Sequence, residues 1–338
     1  MRKRICYSAT YFSRQSGGLP LPVGRRLFMM RLSDGNIVLE PYDPCYCGSG
    51  KKLRFCHPIR KRGEIPRPRA SDCEPRRPQT GFAHSGCYAR QLNDCGTDMS
   101  GEHLFSKVML DLLKGADGKV VRAGYPWQVE GESQSLPPST CRANVLCKRH
   151  NNALSRLDAT AGAFFKAILE TPGFLQNHEL RVLILSGDDL ERWILKTLCT
   201  HILAVRKFGE NWEPLREWLE ILWGMKAFPP GCGLYFNHEV GQSAPDMAKI
   251  GFRVLTSSGF PGATGAMVEL GPYRFALAMV APNPRQTSDS VLIPNYYRPS
   301  DFVIKYGKRE VVYSLGWEGP VAPRRAGISW APTPSPAG

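Results

Sequence analysis

Cysteine spacing constrains this 338-residue chain more than any other feature. Eleven cysteines are too many to be incidental, and six of them group with histidines in two constellations. The first group is PCYCGSGKKLRFCHP, with Cys45, Cys47, Cys56 and His57. The second is spread over two strips, CYARQLNDCGTDMSGEHLFSK and NVLCKRHNNALSRLD, which carry Cys87, Cys95, Cys147 and His150. Cysteines that remain thiols are metal ligands or buried apolar groups rather than disulfides. Four thiolate or imidazole donors can close a tetrahedral zinc site, and the bound ion then supplies folding energy that a short segment cannot draw from a core. Two structural Zn2+ sites are therefore expected: one within a single loop, the other clipping together two segments some fifty residues apart. Cys141 is a possible substitute ligand in the second site. Cys6, Cys73, Cys199 and Cys232 have no ligand partner nearby in sequence and read as ordinary thiols.

The stretch around Cys45 resembles the SEC-C motif, a small zinc module found appended to many bacterial proteins. The resemblance covers about fifteen residues, including the Gly-Ser-Gly-Lys-Lys insert at 48–52. It implies zinc on Cys45, Cys47, Cys56 and His57, and docking to a protein or nucleic-acid partner. It implies no catalysis.

The second group has a hydrolase's logic as well as a staple's. If zinc joins Cys87 and Cys95 to Cys147 and His150, Glu102-His103 are brought against Asn151. Glu102 and Asn151 then offer hard oxygen ligands to a divalent ion, while His103 is free to take a proton from water. These residues resemble the HNH family of nucleases, over roughly residues 85–165. The resemblance implies a ββα-metal fold with His103 as general base and Glu102 and Asn151 on a catalytic Mg2+ or Mn2+. Asn144 would be the asparagine that braces the loop. Two departures stand out: Cys87 and Cys95 have seven residues between them where the family has Cys-x-x-Cys, and Asn151 stands where many members have histidine. Without the resemblance, His103 reads as a surface histidine and Asn151-Asn152 as helix caps.

Charge favours a polyanionic partner. The chain carries a formal +14, and residues 1–80 hold seventeen Lys/Arg against six Asp/Glu, a local excess of +11. Such a field supplies a salt-sensitive affinity for DNA or RNA phosphates. No apolar run approaches the roughly 20 residues of a membrane span, and the basic N-terminus has no apolar stretch behind it of the kind a secretory signal needs. A bacterial-type cytoplasmic location is expected.

The fold class expected is α+β. Residues 1–40 form a basic arm of little order, 41–58 the SEC-C module and 59–80 a Pro/Arg-rich linker. Residues 81–173 form the HNH-like domain, closing with a helix over 153–170 that Pro172-Gly173 ends. Residues 174–318 form an accessory domain of unassigned role, with helices over 188–208 and 213–225 followed by an antiparallel sheet. Residues 319–338 form a disordered tail. The leading function is a metal-dependent nuclease. The alternative is a noncatalytic zinc adaptor that binds nucleic acid, ribosome or an acidic protein.

Overall fold

The structure, a computed structural model, describes residues 10–13, 31–33, 36–38, 42, 52–56, 69–75, 77–177, 180–209, 211–238, 249–257, 260, 262–282, 296–306, 309–318 and 325–330. It is mixed α+β. The chain opens with strand β1 (Thr10–Ser13), a small hairpin of β2 (Arg31–Ser33) and β3 (Asn36–Val38), and one helical turn, α1 (Leu53–Cys56). The central segment holds β4 (Met99–His103), α2 (Lys107–Leu112), β5 (Val120–Ala123), β6 (Ser133–Leu136), β7 (Arg142–Cys147), α3 (Lys148–Ala153) and α4 (Ser155–Asn177). Next come β8 (Leu180–Ser186), α5 (Gly187–Ala204), α6 (Arg216–Leu222), β9 (Gly233–His238), β10 (Lys249–Thr256), β11 (Ala263–Leu270) and β12 (Tyr273–Ala278). The last strands are β13 (Asp301–Tyr306), β14 (Arg309–Gly316) and β15 (Arg325–Trp330).

Three sheets position everything that follows. A seven-stranded antiparallel sheet runs β6-β5-β1-β10-β11-β12-β9. A four-stranded sheet runs β15-β13-β14-β8, with β13·β14 antiparallel and both outer pairs parallel. The third is the pair β4·β7. Helices α4 and α5 pack on each other between the larger sheets. Phe164 of α4 touches Phe275 of β12 on one side and Tyr313 of β14 on the other, with ring centroids 5.2 and 5.8 Å away. Helix α5 has its N-terminus capped by Ser186 Oγ, which accepts from Asp189 N–H, and is buried almost throughout. It buries the apolar Leu190, Trp193, Ile194, Leu195, Leu198, Cys199 and Ile202 and, on its other side, the polar Asp189, Glu191, Arg192, Lys196 and His201, so it runs through the core rather than along the surface.

Four expectations change. Thr10–Ser13, assigned to the basic arm, pairs with β5 on one side and β10 on the other, and Phe12 is fully buried against Phe105. The large sheet thus draws strands from both sides of the 173/174 boundary. The linker 59–80 is anchored where it is described: Cys73 is buried, and Ser71 gives its N–H and hydroxyl to Asp189 at 2.8 and 2.6 Å. Helix α4 runs through Pro172 to Asn177. Proline removes the N–H that would reach the Ile168 carbonyl, while the Thr171 and Tyr313 hydroxyls bond the Ala167 carbonyl beside it and tie this part of the helix to β14. The C-terminal strands form two sheets rather than one, and Arg325–Trp330, assigned to the tail, lies parallel to β13. The other expected strands and helices are present with shifted ends.

Candidate metal centre and its surroundings

The chain's turns bring Cys87, Cys95, Cys147 and His150 to one point. Cys147 ends β7 and immediately precedes α3, so His150 sits in the first turn of that helix, on the side facing back to the strand. Pairing of Cys147 with Met99 fixes β7 against β4. The loop carrying Cys87 and Cys95 is tied down by Tyr88 N–H to the Val145 carbonyl and by Cys95 N–H to the Phe82 carbonyl. An Arg149–Asp94 ion pair and Thr80, which donates its N–H to Asp94 and its hydroxyl to the Cys95 carbonyl, add further ties.

The donor atoms of these four residues all lie within 4.8 Å of one another, and all four residues are buried. His150 Nδ1 is 3.2 Å from Cys147 Sγ and 3.6 Å from Cys87 Sγ. In a tetrahedral site with zinc–sulfur bonds near 2.3 Å and zinc–nitrogen bonds near 2.0 Å, the S···N edges are about 3.5 Å. The spacing therefore fits an ion at the centre, and the cysteines are free thiols rather than disulfides. The charges also fit. Hydrogen bonds from Cys87, His150 and the Gly96 N–H hold the Cys147 thiol down at about 3, while the same contact and burial push Cys87 upward. Such a buried Cys3His group could hold a metal ion such as zinc. The imidazole of His150 packs edge-on against Trp223, with centroids 5.1 Å apart.

Cys141 is not part of the cluster. It is buried at the start of β7, where its carbonyl accepts from Leu104 N–H, and burial raises its thiol to about 11. Of the first constellation, Cys45, Cys47 and His57 lie outside the described residues, as does the side chain of Cys56.

The residues expected to act on substrate are arranged less simply. Strand β4 pairs antiparallel with β7, which runs directly into α3, with α2, β5 and β6 lying between the two strands in the chain, and a register irregularity between Ser100 and Glu102 re-aims the end of β4. Glu102 and His103, being successive, face opposite sides of the pair. Glu102 is buried and bonded to Lys196 Nζ of α5 at 2.7 Å, and the same ammonium meets Asp158 of α4 at 2.6 Å. His103 is half-buried, and its Nε2 accepts a hydrogen bond from Arg142 Nε at 3.1 Å. Burial and the Arg142 charge hold its pKa at about 4, so the ring is neutral at pH 7. Asn151 donates Nδ2–H to Ser100 Oγ at 2.9 Å, pinning α3 to β4, and Asn144 is exposed on β7. The structure therefore places all four on one hairpin-helix unit, but gives Glu102 to a lysine and Asn151 to a serine.

Lys196 was not foreseen. The signal that marks it is a lysine set among Ile194, Leu195, Leu198 and Cys199, which must be paired if that stretch is buried. His201, given no role from sequence, is buried in α5, with Tyr125 Oη 3.3 Å from Nε2 and Phe252 stacked on its ring. His84 accepts from Gly86 N–H. Among the described residues no helix is long and apolar enough to cross a membrane. No protein-family model, characterised protein or solved structure matches the chain.

Proposed function

We propose that the chain is a zinc-stapled nucleic-acid-binding protein in which the Cys87/Cys95/Cys147/His150 ion is structural and the adjoining hairpin-helix unit does not cut its ligand. The single observation that carries this reading is the closure of Glu102 by Lys196 in a buried ion pair. A divalent cation on Glu102 would have to displace an ammonium already compensated by two carboxylates, and would leave that buried ammonium with Asp158 as its remaining acid partner. The basic excess over residues 1–80 supplies phosphate affinity, and a SEC-C-like module at 45–57 would add a second Zn2+ and a docking surface for a protein partner.

The second reading, an HNH-like nuclease, has two observations of its own: the antiparallel pairing of β4 with β7, which leads straight into α3, and an unprotonated His103 at neutral pH. In it Lys196 withdraws, Glu102 and Asn151 take Mg2+ or Mn2+, His103 accepts the proton of the attacking water, and Asn144 braces the loop.

One experiment separates them. Purified protein and a His103→Ala variant are incubated with plasmid DNA and with RNA in Mg2+ or Mn2+, and binding is followed in parallel by fluorescence anisotropy over a salt series. Salt-dependent binding without cleavage supports the binding reading. Cleavage by the wild type that His103→Ala abolishes overturns it in favour of the nuclease. Neither binding nor cleavage overturns both.

A further inference from the structure

The basic N-terminal region has an aromatic component that charge alone does not require. Tyr42 and Phe55 are 58% and 66% exposed, the two most exposed aromatic side chains among the described residues. Leaving such rings in water forgoes the burial that usually stabilises them. They also share a neighbour. Arg54 of α1 lies over both rings, 4.8 Å from each centroid, and donates to Tyr42 Oη. Lys52 holds its ammonium over Tyr42 at 5.3 Å, and the turn between Lys52 and Phe55 is closed by Phe55 N–H donating to the Lys52 carbonyl at 3.0 Å. Both cations are exposed, and neither has a carboxylate partner among the described residues.

Cations held over aromatic rings order both, and they set fixed positive charge beside a flat apolar surface. The surrounding charge decides which ligand that suits. Residues 44–63 carry Lys51, Lys52, Arg54, Arg60, Lys61 and Arg62 and no Asp or Glu. A typical protein interface would set an apolar patch inside a rim of both signs, whereas a segment of one sign attracts a polyanion. Among nucleic acids, a duplex hides its base faces in the stack and offers such a surface only its phosphates. A single strand offers phosphates and base faces together.

We propose that Tyr42, Lys52, Arg54 and Phe55 form a surface that binds single-stranded nucleic acid, with an unpaired base stacked on the Phe55 ring and the flanking phosphates on Lys52 and Arg54. Arg54 is the one group over the Phe55 ring among the described residues, and the ring's exposure leaves room for a base. Every base has a π-face, so the surface selects strandedness rather than sequence. The inference rests on the nucleic-acid reading above and adds to it the place of contact and the form of the ligand.

The test is fluorescence anisotropy with the full chain. A short labelled strand of mixed sequence, as DNA and as RNA, is compared with the blunt duplex of the same sequence over a salt series. Phe55→Ala, Phe55→Trp and the double variant Lys52→Ala/Arg54→Gln all change exposed positions, and zinc content and urea midpoint are measured for each. Wild type should bind the strand about tenfold more tightly than the duplex. Phe55→Ala should lose about tenfold on the strand and less than twofold on the duplex, and Phe55→Trp should keep wild-type strand binding. The double variant should flatten the log–log salt slope by about one to two. Equal wild-type affinity for strand and duplex, or Phe55→Ala within twofold of wild type on the strand at unchanged zinc content, overturns the proposal. Should Phe55→Ala lose zinc, the double variant decides, and an unchanged salt slope overturns the proposal. Salt-dependent binding that persists alongside any of those results leaves the nucleic-acid reading standing, whereas no binding to any strand or duplex overturns both.

Discussion

Replacing Lys196 with methionine probes the ion cluster that decides between the two functional readings. The Lys196 side chain is 2% exposed and Glu102 6%, with Nζ and Oε1 2.7 Å apart, whereas Asp158 is 27% exposed and partly hydrated. At an effective dielectric near 20, a pair at that distance attracts by about 6 kcal/mol. Desolvation of the two ions takes back several kcal/mol each. The net value of the pair is therefore small, but removing the ammonium alone strands a buried carboxylate, which destabilises by about 3–5 kcal/mol. Lys196→Met should lower unfolding stability by that amount in urea titrations, and Lys196→Met/Glu102→Gln should recover roughly half of it. Burial already raises the Glu102 pKa, with Lys196 the chief opposing influence. Without Lys196 the folded-state pKa rises further above the unfolded value. The folded form then binds the extra proton at lower pH, so the variant's deficit should grow as pH rises from about 5 toward 8. A variant within 1 kcal/mol of wild type, or a deficit that does not change with pH, would refute the reasoning.

Three other perturbations have defined outcomes. His201 is held down at about 3 from an ordinary 6.5 by burial, so the unfolded chain takes up a proton that the folded chain refuses as pH falls through that interval. Stability is then lost on acidification from pH 6.5, by up to about 4–5 kcal/mol near pH 3, and urea midpoints of His201→Phe against pH should show a correspondingly shallower decline. At Gly187 an added Cβ would lie 2.5 Å from the Trp317 ring, which is itself fixed by Nε1–H donation to the Pro299 carbonyl. Gly187→Ala should therefore destabilise by about 1–3 kcal/mol in chemical denaturation, and a neutral result would mean that β14 and α5 are not packed as described. Treatment with a strong zinc chelator at neutral pH should reduce unfolding stability by about 3 kcal/mol or more and restore it on adding Zn2+, as followed by calorimetry.

What could be read from the sequence was local. Cys147 and His150 are three residues apart on one strand-to-helix turn, so their spacing alone marks them as joint ligands. Leu154, Leu157, Ala161, Phe164, Phe165 and Ile168 recur at helical spacing, and all six are buried, the last five on α4 and Leu154 just before it. The unreadable parts depend on partners far away in the chain. Thr10–Ser13 is too short to show a period, and its strand neighbours are at 121–123 and 249–252. Strand β8 gains its place only by lying parallel to β14, some 130 residues later. Glu102 looked free to bind an ion because Lys196, on another helix, could not be placed beside it. Pro172 looked like a helix end because nothing in its neighbourhood announced that Tyr313 would tie this part of the helix to β14.

The account depends most on an ion joining the two cysteine-bearing strips. Zinc content, measured by mass spectrometry on gel-filtered wild type and on Cys147→Ser, tests it directly. The account predicts one fewer equivalent of tightly held zinc in the variant, together with lowered thermal stability. Equal zinc in the two proteins, or none in the wild type as purified, would contradict it.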